Sequence, residues 1–466
     1  MISRFRTFLG LRDVALVVVL FGTSLVAFAA TSNPIPQVVG PPVPQAVIPG
    51  RGAFTLTVYG ANFVSGTTVN WNRQPRTTTF ISARKLQAQI LASDVANPTA
   101  GYITVTNPPP GGGVSSSSYS LVEVHKPTKT IVPGRNTHYG QQPDGQVTAV
   151  VAADFNNDGV LDLVRGDASG KMPMLLGNGD GTFHFGSLVS KNYSFGSNLV
   201  FGDFNGDDNL DLAFTAALNP PTHIQVDLGK GDGKFQSGSR FGKFGGVCFC
   251  VAADFNRDGK LDLLVGNHVY LGNGDGTFHI LGGHSVIGGF SVAVGDFNGD
   301  GKLDPVIERF NGVDDEIDIN LGRGDGTFHK ARKIFTVSQL SDGIAASDFN
   351  GGGKLDLVFL VGEQTVVLMG KGDGTFQRPD YYSAYGPIVT GDFNSDGHTD
   401  LLENCGDNCT FLFLGKGDGT FENAKQINGL PDSGIEGIVA GDFNSDGLLD
   451  FVFQQGGWGI NVHLQK

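Results

Sequence analysis

The sequence predicts an all-β chain, a seven-bladed β-propeller preceded by a small β-sandwich. Three observations carry that prediction. A nine-residue unit, D-F-N-x-D-G-x-x-D, begins at Asp154, Asp203, Asp254, Asp296, Asp348, Asp392 and Asp442, so successive copies start 42 to 52 residues apart, close to the length of a four-stranded blade. A second motif, L/M-G-x-G-D-G-T/K-F, closes six of the units, ending at Phe183, Phe235, Phe278, Phe328, Phe376 and Phe421. Apolar residues alternate with period two around both motifs, and no long run repeats at helical period.

The first element is an address. Arg4, Arg6 and Arg12 precede an apolar run from Ala15 to Ala30 that ends in Ala27-Phe28-Ala29. A basic start, a short apolar middle and small residues at the end read as a secretory signal over residues 1–30, cleaved near Ala29 or Ala30, with an uncleaved anchor as the alternative. The mature chain is expected to be secreted or at the cell surface, monomeric and without a membrane span. Four cysteines fit an oxidising compartment: Cys405 and Cys409 flank a turn-prone trio and could pair, and Cys248 and Cys250 could pair or pack.

Residues 31–50 are rich in Pro and Gly and read as a lead-in. Residues 51–124 then carry short alternating runs, such as Phe54-Thr55-Leu56-Thr57-Val58-Tyr59 and Leu86-Gln87-Ala88-Gln89-Ile90, which fit an antiparallel sandwich. The run VYGANFVSGTTVNWN, followed by TVTNP from Thr104 to Pro108, resembles the IPT/TIG immunoglobulin-like family. That resemblance implies an immunoglobulin-like β-sandwich acting as a spacer or binding domain.

Residues 125–466 hold the repeats. Each reads as strand, Asp loop, strand, variable loop, strand, Gly-rich turn, strand. The seventh unit lacks its closing motif, and the segment around Thr137-His138-Tyr139-Gly140 is expected to supply the missing strand, which would remove two open edges. A linear array of modules is the alternative.

The Asp loop has the chemistry of a metal site. Asp154, Asn156 and Asp158 offer side-chain oxygens at alternate positions, Val160 a carbonyl, and Asp162 a last carboxylate. The same set recurs as Asp203, Asn205, Asp207, Asn209 and Asp211; Asp254, Asn256, Asp258, Lys260 and Asp262; Asp296, Asn298, Asp300, Lys302 and Asp304; Asp392, Asn394, Asp396, His398 and Asp400; and Asp442, Asn444, Asp446, Leu448 and Asp450. Hard oxygen donors without His or Cys in the repeated carboxylate set select Ca²⁺. About six Ca²⁺ sites are expected, because Gly352 replaces the third ligand of the loop at Asp348 and leaves that site weak or empty. An EF-hand is excluded: its twelfth position needs Glu, and only Glu403 among Arg165, Phe214, Val265, Ile307, Phe359, Glu403 and Phe453 supplies one.

Together the two motifs resemble the FG-GAP/VCBS repeat family, found in integrin α-subunits and many exported bacterial proteins. The resemblance implies a β-propeller with Ca²⁺ in peripheral Asp loops, and adhesion or ligand recognition more often than catalysis.

Composition bounds the partners. The chain has 466 residues, 32 Lys+Arg and 46 Asp+Glu, a formal charge of −14. That balance excludes a nucleic-acid surface. Residues 1–29 hold three Arg and one Asp, so the remainder carries −14 − 2 = −16, and six Ca²⁺ would bring it to −4. The Asp loops and Gly-rich turns share one face. The other carries variable loops, including Asn219 to His223, Arg309 to Glu316 and Tyr381 to Tyr385, and is the expected surface for a glycan or extracellular protein ligand. Two RGD tripeptides, at Arg165 and Arg323, carry little weight, since the second is the Gly-rich turn itself. Asn192 and Asn408 are sequons. No catalytic residues are expected, and an extracellular polysaccharide-cleaving enzyme or a structural spacer is the alternative.

Overall fold

The computed structural model describes residues 32–39, 41–115, 120–128, 133–139, 147–167, 171–191, 194–217, 222–244, 249–285, 291–310, 315–337, 343–383, 386–404, 409–428, 430, 435–455 and 459–465. The segment read as a secretory signal, Gly140, Cys248, Cys405, Asn192 and Asn408 lie outside them. Among the described residues the only helix is the 3₁₀ turn Ala92–Val95, no helix is long and apolar enough to cross a membrane, and the rest is strand and turn. The chain is all-β.

The N-terminal part consists of two sheets over one core. One runs Gln37–Val38, Phe54–Ala61, Lys85–Ile90, Thr78–Ser82; the other Ala46–Val47, Ser120–Val124, Thr99–Asn107, Thr68–Trp71, Gln74–Pro75, with Gly113–Val114 added on Thr99–Asn107. The Pro-rich lead-in is therefore built into the sheets: its two short strands join one sheet each. Pleating sends alternate side chains inward, so Leu56, Val58, Leu86, Ile90, Ile103 and Val105 are fully buried around Trp71. Each such side chain contributes about 1.5–3 kcal/mol of burial.

The repeats form seven four-stranded antiparallel sheets among the described residues. The first is Val147–Ala153, Asp162–Asp167, Lys171–Gly177 and Phe183–Lys191; the sixth is Ile388–Gly391, Asp400–Asn404, Thr410–Phe413 and Lys425–Gln426. In each of the first six, strands follow in chain order, with the Asp loop between the first and second and the Gly-rich turn between the third and fourth. In the fourth to sixth, Phe328, Phe376 and Phe421 make only an isolated bridge, to Gly322, Gly370 and Gly415, and the fourth strand starts further on than expected. The seventh sheet takes Ile435–Gly441, Asp450–Gln455 and Gly459–Gln465 from the C-terminus and Pro133–Tyr139 from upstream of the first repeat. Thr137 pairs with Val462 and Tyr139 with Ile460, as the missing strand required.

The core lies between sheets. Each of seven apolar clusters draws on two consecutive repeats. Phe155 of the first meets Leu212 and Phe214 of the second, and Phe349 of the fifth meets Leu401 and Phe413 of the sixth. Phe443 and Val452 of the seventh meet Leu163 and Leu175 of the first. The Phe of each D-F-N unit is at most 3 % exposed. Most of these rings touch the closing Phe of the next repeat edge-on: Phe155 with Phe235 at 5.9 Å, Phe204 with Phe278 at 5.7 Å, Phe255 with Phe328 at 5.8 Å, Phe349 with Phe421 at 5.5 Å. The two motifs thus interlock across repeats, which their order in the sequence does not reveal.

Candidate metal centres

Each Asp loop is wound around its own carboxylates. In the first, the Asp158 N–H donates to Asp154 Oδ1 at 3.1 Å and Asn156 Oδ1 at 2.9 Å, Gly159 N–H to Asp154 Oδ2 at 2.9 Å, and Val160 N–H to Asp158 Oδ1 at 2.8 Å. Positions one, three and five are brought together around one N–H. The pattern repeats at Asp207 with Asp203 and Asn205, Asp258 with Asp254 and Asn256, Asp300 with Asp296 and Asn298, Asp396 with Asp392 and Asn394, and Asp446 with Asp442 and Asn444. The seventh-position residues Asn209, Lys260, Lys302, His398 and Leu448, expected to offer a carbonyl, each donate their N–H to the fifth-position carboxylate. In the fifth loop Gly352 N–H still binds Asp348 and Asn350, but there is no third carboxylate.

Winding this tight needs left-handed backbone at two places. Position six has it in every loop, including Asp208 at φ 65°. Position four has it too, filled by Asn157, Gly206, Arg257, Gly299, Gly351, Ser395 and Ser445. Sequence reading saw only position six, because the residue type at position four varies.

The ninth-position acid has a second task. Asp162 Oδ2 accepts from Phe155 N–H at 3.0 Å and Oδ1 from Gly177 N–H at 2.9 Å, tying the loop to the third strand. Asp211, Asp262, Asp304, Asp356, Asp400 and Asp450 do the same, and all seven are fully buried. In the seventh repeat the second donor is Gln465 N–H at 2.8 Å. Burial first, and the neighbouring loop carboxylates after it, push these acids up: to about 7 for Asp162, Asp211 and Asp304, about 8 for Asp450 and about 9 for Asp400. Crowded acids opposed mainly by backbone N–H groups form a donor set suited to a hard cation. Among the described residues, no three His, Cys, Asp or Glu side chains form a closed metal cluster, so amide and backbone oxygens would have to complete each site.

The loops meet the N-terminal sandwich, a contact that sequence reading missed. The Arg73 guanidinium lies 2.7 Å from Asp154 Oδ2 in loop one, and Arg84 Nε lies 2.9 Å from Asp296 Oδ2 in loop four. Ile35 N–H donates to Asp254 Oδ2 at 2.7 Å in loop three. In loop six Gln45 donates to Thr399 Oγ1 at 2.9 Å and Ser395 Oγ to Glu123, while Thr128 N–H, just past the sandwich, donates to the Asn394 carbonyl at 2.7 Å. Tyr102 OH donates to the Asp442 carbonyl at 3.1 Å in loop seven.

On the variable face, Arg309 pairs with Glu316 at 2.7 Å and Asp318 at 2.5 Å. Tyr382 packs against Phe413 and Phe421 and accepts from Phe421 N–H at 3.3 Å, so it serves the core, whereas Tyr381 is 53 % exposed. Asn219 to Pro221, residues 311–314, Ala384 and Tyr385 lie outside the described residues. Cys409 is disulfide-bonded and Cys250 is buried.

The family profile described as FG-GAP-like repeat matches residues 154–214, 266–307, 348–403 and 392–453, and that described as FG-GAP repeat matches 249–281. The chain carries FG-GAP repeats. No curated protein matches it. Among solved structures, it is similar to an Agrocybe aegerita lectin that recognises non-reducing terminal N-acetylglucosamine, at 16 % identity over 77 % of this chain and 95 % of the lectin, TM-score 0.46. It is also similar to an auxiliary nutrient binding protein of Bacteroides ovatus, at 10 % identity over 92 % and 98 % of the two chains, TM-score 0.39. A third is BBS1N in complex with ARL6DN, at 11 % identity over 72 % and 97 %, TM-score 0.48.

Proposed function

We propose that residues 125–466 form one seven-bladed propeller that binds calcium in its Asp loops and serves, outside the cell, as a recognition or adhesion module for a glycan or protein ligand. The observation that carries the architecture is the set of seven inter-sheet clusters, the last joining the seventh repeat to the first. FG-GAP repeats are typical of extracellular proteins, which supports export and the signal reading of residues 1–30. The N-terminal sandwich is assigned here to the IPT/TIG immunoglobulin-like kind, and the chain is taken as a monomer without catalytic activity.

Calcium, when bound, would supply countercharge to acids that burial makes costly. The first, third and fifth positions of the six complete loops would hold it. The chain's own part is to pre-form those positions through the shared N–H groups. Because the sandwich engages loops on the Asp face, ligand recognition falls to the opposite, variable face, where exposed Tyr381 is a candidate anchor.

The test is binding of the full chain to glycan and matrix-protein arrays, with a thermal melt in calcium and in EGTA. Selective binding and a melt lowered by EGTA support the reading. An unchanged melt overturns the calcium part, absence of any ligand favours a spacer, and cleavage of a bound polysaccharide favours an enzyme.

A further inference from the structure

The sandwich offers different chemistry to different loops. Arg73 is the second residue of a two-residue hairpin turn between Thr68–Trp71 and Gln74–Pro75, and both turn residues, Asn72 and Arg73, have positive φ, at 47° and 63°. Arginine is an unusual choice for left-handed backbone, which Gly adopts without steric cost. Its guanidinium reaches Asp154, the first ligand position of loop one, whose side chain is 7 % exposed. Arg84 is likewise the second residue of the turn between Thr78–Ser82 and Lys85–Ile90. It pairs with Asp296, 2 % exposed, and its other end approaches the Gly353 carbonyl of loop five at 3.5 Å. Lys302 Nζ lies 3.1 Å from Asp300 of the same loop, but both side chains are about a third exposed, so water screens that pair. At loop six the sandwich presents the opposite charge. Glu123, 1 % exposed, accepts from Ser395 Oγ, and its Oε1 has no hydrogen-bond partner among the described residues. It lines, with Asp392, Gln45 and Thr399, a cavity of about 240 Å³ between the sandwich and the repeats.

We propose that the sandwich sets the cation occupancy of the ring. Arg73 and Arg84 act as tethered cations in loops one and four and keep calcium out of them, while Glu123 adds an acid oxygen to loop six. A guanidinium seated on one oxygen of a first-position carboxylate competes with a metal ion for that side chain, and its positive charge repels a second cation at contact distance. Loops two, three, six and seven keep all three carboxylates, and among the described residues the sandwich places no side-chain cation on them. Of six complete loops, two therefore already hold a side-chain cation and four remain for calcium. This rests on the calcium reading above and narrows it.

The experiment counts calcium bound per full-length chain by elemental analysis after equilibrium dialysis against saturating calcium chloride, beside the single variants Arg73→Gln and Arg84→Gln, the double variant, and Glu123→Gln. Far-UV circular dichroism checks that each variant folds. Expected are four ions in the unmodified protein, five in each arginine variant, six in the double variant, and a weakened fourth ion in Glu123→Gln. Six ions in the unmodified protein overturn the inference whether or not any variant folds, as does a folded double variant that still binds four. No calcium in any of them overturns the calcium reading itself.

Discussion

The ring of Phe443, in the last Asp loop, meets the ring of Phe183, in the first Gly-rich turn, edge-on at 5.8 Å, and Gly181 N–H of that turn donates to the Phe443 carbonyl at 3.0 Å. Residues 260 positions apart are thus joined by the same pair of contacts that links neighbouring repeats elsewhere (443 − 183 = 260). Phe443→Ala removes a ring that is 1 % exposed, and is expected to cost about 3–5 kcal/mol, with Phe443→Leu costing markedly less. Urea denaturation checks this; a cost within about 0.5 kcal/mol, the range of surface changes, would contradict a joined first and last repeat.

The fifth- and ninth-position acids differ in what they hold together. Asp158 accepts one backbone N–H from its own loop, whereas Asp162 is fully buried and ties two segments together. In EGTA, Asp162→Asn is expected to destabilise by on the order of 2–3 kcal/mol, because one amide hydrogen must face an N–H donor. Asp158→Asn is expected to be near neutral in EGTA, and the equivalent Asp207→Asn in loop two, one of the four loops left to calcium, is expected to cost stability only with calcium present. Equal effects of the two variants in EGTA would remove the distinction.

Backbone handedness gives a cleaner test at Gly159, whose φ is 90° and beside which an added Cβ would meet nothing within 4 Å. Gly159→Ala therefore isolates conformational cost, expected at roughly 1–2 kcal/mol in EGTA. At the equivalent position of loop two, Asp208 has φ 65°, and Asp208→Gly is expected to be neutral or to gain up to about 1 kcal/mol. Opposite signs would show that loop strain is not what these melts read.

His463, on the last strand, is 2 % exposed and packs edge-on against Phe453; its Nε2 has no hydrogen-bond partner among the described residues. Burial pushes it down to about 4 from the ordinary 6.5. The folded ring stays neutral while the unfolded one takes a proton below pH 6.5. Its stability contribution is therefore present above pH 6.5 and lost as pH falls towards 4, by on the order of 2–3 kcal/mol. Relative to the unmodified protein, His463→Met is expected to become more stable across that window. Parallel pH profiles of the two proteins would overturn the assignment.

Much of this protein is local and so was legible in one dimension. The nine-residue unit fixes its own loop, since every oxygen and N–H that winds Asp154 to Asp162 comes from within or beside it. Period-two alternation likewise marked the strands, and the missing closing motif of the seventh unit pointed to a donated strand, found at Pro133–Tyr139. What lies between units was not legible. The pairing of Phe155 with Phe235 and the replacement of the absent seventh turn by Gln465, whose side chain reaches the Phe393 carbonyl at 3.4 Å, depend on how repeats turn against each other. Tertiary structure alone brought Arg73, Arg84 and Glu123 onto loops 81, 212 and 269 residues downstream (154 − 73, 296 − 84, 392 − 123). The sequence determined where carboxylates and amides cluster, because their spacing is a property of a few consecutive positions. Which loops meet an arginine was decided by the docking of a separate surface, and no local spacing encodes that.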